Sequence, residues 1–64
     1  MSWNKRVERA AHAVVSSGLS VAHDADEVVA MVKGMASDLA DPTAGWFVAD
    51  VLNLVNEMEM ELEG

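Results

Sequence analysis

AGWFVADVLNLVNEMEMEL, residues 44–62, is the stretch whose reading decides the fold. Phe47, Val51, Leu54, Val55, Met58 and Leu62 recur at three- and four-residue intervals, the signature of one helix face. Val48 and Leu52 widen that face to an arc of about 160° at 100° per residue. This is broader than a two-helix seam needs. The helix therefore has two partners, or one partner and a second subunit. Val48 and Leu52 are the candidate self-association residues, and a homodimer is expected. The tail Glu57–Glu63 alternates with period two, as a strand would, but Met and Glu favour helix and β-branched residues are missing.

Two further helices stand upstream. The first is expected over residues 2–17. Ser2 offers an N-cap hydroxyl, Trp3, Val7, Ala10, Ala11, Val14 and Val15 share an apolar face, and Gly18 suits the left-handed stop. The second is expected over residues 24–40, with an apolar stripe of Val28, Met31, Val32, Met35, Ala36 and Leu39. Asp24 and Glu27 have capping-box spacing, and Ser20 is a rival start. Gly34, opposite the stripe, reads as a surface glycine. Asp41-Pro42-Thr43 separates the second helix from the third, with Asp41 or Thr43 as the cap. Short connections favour an up-down-up arrangement. The expected fold is an all-α three-helix bundle, one domain over residues 1–64.

Size and composition agree with tight helix packing. The chain has 64 residues, 52% of them apolar, and no Cys. Disulfides and thiolate metal sites are excluded, so packing and self-association must supply the stability of so small a core. Met1 reads as a native start. The charged segment Lys5-Arg6-Val7-Glu8-Arg9 is not followed by a signal-type apolar run, and no stretch reaches membrane-spanning length. A cytoplasmic protein is expected.

Charge is distributed unevenly. Lys5, Arg6 and Arg9 against Glu8 leave residues 1–18 at +2, whereas Lys33 against five Asp and five Glu leaves residues 19–64 at −9, for a net charge of −7. In an up-down-up bundle the start of the second helix meets the end of the third. Asp24, Asp26 and Glu27 then lie near Glu57, Glu59, Glu61 and Glu63, and form an acidic pole for electrostatic partner binding. Lys5 and Arg6 fall at the other end, beside Trp46. Like charges at Glu57/Glu61 and Glu59/Glu63 disfavour the isolated helix, so the pole is either a solvated tail or a surface that meets a basic partner. Trp46, Asp50, Asn53 and Met60 share the polar side of the third helix and are the candidate anchors. Trp3 is expected in the core.

Other chemistries find little support. His12 and His23 have no recognised ligand spacing, and the Asp24/Asp26/Glu27 group lacks the further ligands of a calcium loop. Ser16, Ser17, His12, His23 and Asp24 hold the residue types of a hydrolytic triad, but three short helices rarely enclose the pocket it requires. No glycine-rich loop cradles a phosphate, and no cofactor is expected. The second and third helices with their turn suggest helix-turn-helix geometry, yet Asp50, Glu57 and Glu59 on a reading helix would repel phosphates. Anionic membranes are disfavoured by the same sign of charge.

The expected function is that of a non-enzymatic, acidic, helical protein-binding module, whose partner carries a basic surface. In composition the chain resembles compact, acidic, cysteine-free proteins of phages and mobile elements, including anti-CRISPR and anti-restriction inhibitors. That resemblance implies an inhibitor occupying the basic nucleic-acid-binding surface of its target. The alternatives are a homodimerising structural or regulatory module acting through the apolar face of the third helix, and a small subunit of a larger complex.

Overall fold

The computed structural model describes the backbone of residues 2–63 and the side chains of residues 2–61. Met1, and the side chains of Leu62 in the apolar stripe and Glu63 in the acidic pole, lie outside the described residues. Three helices follow one another, α1 (Trp3–Ser16), α2 (Ala25–Met35) and α3 (Thr43–Glu63). They form the expected all-α bundle.

α1 starts and stops on local signals. The Ser2 hydroxyl accepts the backbone N–H of Lys5 at 3.3 Å, and the Ser2 carbonyl accepts that of Arg6 at 3.0 Å. Two of the donors that a helix start leaves orphaned are thereby paired. Gly18 ends the helix at φ 77°, a region that costs glycine little, with its N–H on the Val15 carbonyl.

α2 departs from expectation at both ends. Asp24 holds the N-cap position, but its side chain makes no cap hydrogen bond and instead accepts the backbone N–H of Ser20 at 3.2 Å. The capping box is therefore not formed. Ser20 heads a separate tight turn, its carbonyl accepting from His23 and Asp24 and its hydroxyl from Ala22. At the other end the helix closes at Met35 rather than residue 40. The Met35 carbonyl is taken by the Arg6 guanidinium from α1 at 3.1 Å, and Ser37–Leu39 continue as a turn in which Leu39 donates to Ala36. The cation satisfies one of the carbonyls that a helix end leaves without a partner.

α3 begins on the carbonyls of Ala40 and Pro42, which accept from Ala44 and Trp46. Its 21 residues span about 31 Å at 1.5 Å each, most of the 35 Å long axis of the molecule. It packs against both other helices. Val7, Ala10, Ala11 and Val14 of α1, Val28 and Val32 of α2 with Ala36 beyond it, and Phe47, Val51 and Val55 of α3 are buried together. Phe47 is the largest of them. Val48 and Leu52 are half-buried against this core. The wide apolar arc thus meets two neighbours within one chain, while Val48 and Leu52 keep part of their surface open. Gly34 faces outward with nothing within 4 Å of where a Cβ would stand.

Candidate functional site

The edge between α1 and α3 carries the most distinctive chemistry. Trp3, expected in the core, is 37% exposed. Its ring meets Phe47 edge-on, with centroids 5.6 Å apart and planes at 86°, an arrangement the aromatic quadrupoles favour. Its indole N–H donates to Asp50 Oδ2 at 2.8 Å. The hydrogen bond fixes both groups, because the indole has one polar atom and that atom is satisfied. Asp50 was an anchor candidate; the structure gives it a partner within the chain, although a carboxylate retains further lone pairs.

Trp46 lies one turn before Asp50 on α3 and is 61% exposed. Asn53 and Glu57 follow on the same side, both exposed. Met60, 64% exposed, completes the line, its sulfur 4.0 Å from Asn56 Nδ2. Trp46, Asp50, Asn53, Glu57 and Met60 recur at four- and three-residue steps, so they form a second stripe, distinct from the apolar one. Beside it an open groove runs between the helices, walled by Asn4, Glu8, Asp50, Asn53 and Glu57 over Val7 and Leu54. The walls hold three carboxylates and no cation.

The acidic end of the bundle is less uniform than expected. Glu59 Oε1 accepts the backbone N–H of Val21 at 3.1 Å, which brings the end of α3 to the turn that precedes α2. Asp24, Asp26 and Glu27 line a shallow hollow with Ala22, His23 and Ala25. Glu57 instead belongs to the α1/α3 groove with Glu8 and Asp50, and Glu61 is exposed. Of the α3 carboxylates expected at the start of α2, Glu59 meets the turn that precedes it, whereas Glu57 faces the groove it shares with Asn4 and Glu8. Asp24 and Glu59 are half-buried and bonded to backbone N–H groups, so they support the turn rather than stand free. Among the described residues, no three His or carboxylate side chains converge as metal ligands.

The opposite flank of α1 holds what sequence reasoning missed. The Arg6 guanidinium lies over the Phe47 ring, 5.2 Å from its centroid. It donates to both carboxylate oxygens of Asp38, and to the Met35 carbonyl as described. The hydrogen bonds between Arg6 and Asp38 hold the Asp38 carboxyl below its ordinary range and raise the guanidinium further, against the opposing effect of desolvation. The spacing of Arg6 and Asp38, 32 residues apart, gives no local signal. The one available hint was the aromatic content, since a cation near a helix carrying Trp and Phe has a stacking partner to find.

Compared with protein families, curated proteins and solved structures, the chain matches none of them. Among the described residues, no helix is long and apolar enough to cross a membrane.

Proposed function

We propose that this chain is a non-enzymatic protein-binding module, and that its acidic α3 surface engages a partner protein with a basic face. The observation that carries the reading is Trp46. An indole left 61% exposed, among carboxylates and with Met60 further along the same stripe, has the composition of an interface anchor. Indole burial supplies affinity, while the net charge of −7 steers encounter toward cationic surfaces. A finer version of the proposal is inhibition, in which the module covers the surface its target uses for nucleic acid. The acidic exterior and the compositional likeness to phage and mobile-element inhibitors support that version.

The test is affinity capture by the immobilised full chain from its cell of origin at two salt concentrations, with mass spectrometry of the retained proteins. Retention of a basic protein that is released as salt rises, and weakened by Trp46→Ala, is the expected result. If retention is independent of both salt and Trp46, the proposal fails. For the inhibitor version, the captured protein must lose nucleic-acid binding when the module is added.

A further inference from the structure

We infer that the α3 stripe beginning at Trp46 is a docking surface for an arginine-bearing segment of the partner, with the Trp46 indole as the stacking platform and Asp50 and Glu57 as the pairing carboxylates; this rests on the protein-binding reading above and specifies its partner. Charge complementarity selects the occupant. The adjoining groove has Glu8, Asp50 and Glu57 in its walls and, among the described residues, no cation, so a cationic segment is the complementary occupant even with the Trp3 N–H on one Asp50 oxygen. A second copy of the chain is disfavoured, because two molecules at −7 each repel. A nucleic acid is excluded by the same sign.

Arginine rather than lysine follows from the aromatic component. A guanidinium is planar and weakly hydrated, so it can stack on an indole and pair bidentately with a carboxylate at once. The molecule already uses this chemistry on the other flank of α1. There Arg6 stacks on Phe47 at 5.2 Å and is held by the Asp38 carboxylate and the Met35 carbonyl. The Trp46 stripe sets out the same kinds of group, an aromatic face and carboxylates with the Asn53 amide between them. The stripe from Trp46 to Met60 runs about 21 Å at 1.5 Å per residue, the reach of about six extended residues.

The test uses the full chain and two ten-residue peptides, alternating Arg-Gly and alternating Lys-Gly, in calorimetric titrations, with amide and indole NMR shifts to map the contact. The Arg peptide should bind about two- to fivefold more tightly than the Lys peptide, the size of a stacking contribution at an exposed site. Shifts should centre on Trp46, Asp50, Asn53 and Glu57. Trp46→Ala should erase the preference while residual binding persists, and Trp46→Phe, which keeps a π face and a conservative volume, should retain part of it. Equal affinity for the two peptides, or a preference that survives Trp46→Ala, overturns the inference. Binding that maps to Asp24, Asp26 and Glu27 overturns it too, but leaves the acidic-module reading standing. Failure of both peptides to bind overturns the inference, while the protein-binding reading stands or falls on the capture experiment.

Discussion

Glu59, near the end of α3, accepts the backbone N–H of Val21 in the turn between α1 and α2, at 3.1 Å. This single bond fastens the α1–α2 turn to the far part of α3: the turn that launches α2 is held by the helix that closes the bundle. It also removes one carboxylate from the acidic surface and gives it a structural task.

Replacing Glu59 by Ala should therefore destabilise the fold by about 1 kcal/mol, the net worth of a hydrogen bond to a half-buried donor. In a domain of this length that lowers Tm by about 4–8 °C. Circular-dichroism melts measure the change, and hydrogen exchange at the Val21 amide should accelerate more than exchange in α1. A Val21 amide protected equally in both proteins would show that the bond carries no stability.

Two glycines predict opposite outcomes for the same substitution. Gly34→Ala places a methyl group on an exposed helical position with nothing within 4 Å, and should stabilise by about 0.5–1 kcal/mol through helix propensity. Gly18→Ala also meets nothing within 4 Å, but it forces an L side chain to φ 77°, and should destabilise by about 1 kcal/mol. Urea unfolding of the two variants side by side checks the sign of each.

Phe47 is 1% exposed and touches both Trp3 and Arg6. Truncation to Ala should cost about 3–5 kcal/mol, comparable with the whole stability of a chain this short, about 3–10 kcal/mol at 0.05–0.15 kcal/mol per residue. Far-UV circular dichroism at 25 °C should show a largely unfolded Phe47→Ala, whereas Phe47→Leu should remain folded with a lower Tm.

The Arg6–Asp38 pair predicts a pH dependence. The Asp38 carboxyl is held below its ordinary range by the Arg6 hydrogen bonds, so the folded state binds this proton less readily than the unfolded chain. Its contribution is present above the unfolded value of about 3.9 and is lost as pH falls through the lower folded value. Wild type should exceed Asp38→Asn in stability at pH 7, and the gap should close below about pH 4. A gap that stays constant down to pH 2 would contradict the assignment. Arg6→Lys, which keeps the charge but not the planar fork, should lose more stability than Asp38→Asn, because it also disturbs the Phe47 contact and the α2 stop.

Much of this architecture is legible in the sequence, and the reasons are local. The Ser2 cap, the Gly18 stop and the three- and four-residue spacing of α3 each depend on neighbours within one turn or one helix face. The end of α2 is not legible, because its periodicity runs on through Leu39 while the group that takes the Met35 carbonyl, Arg6, arrives from 29 residues away. The spacing that locates Val7 and Val14 also points Trp3 to the core. That residue sits at the rim because its N–H needs Asp50, a partner on another helix. Topology brings Glu59 to the turn before α2, but it does not tell that Glu57 faces the α1/α3 groove, which depends on the way each carboxylate turns. The anchor stripe could be read as a helix face. What it could not reveal is that Val48 and Leu52 on the opposite margin of α3 pack in part against the chain's own core.

The two tryptophans occupy different worlds, one clamped between Phe47 and Asp50 and the other open to water. The protein thereby carries a pair of optical reporters with separate subjects. Emission from Trp3 follows whether the bundle is assembled, and emission from Trp46 follows whether something has settled on its surface. Replacing either by Phe isolates the signal of the other without attaching a dye, and because Trp3 is bonded to Asp50, it also registers any pairing at that carboxylate.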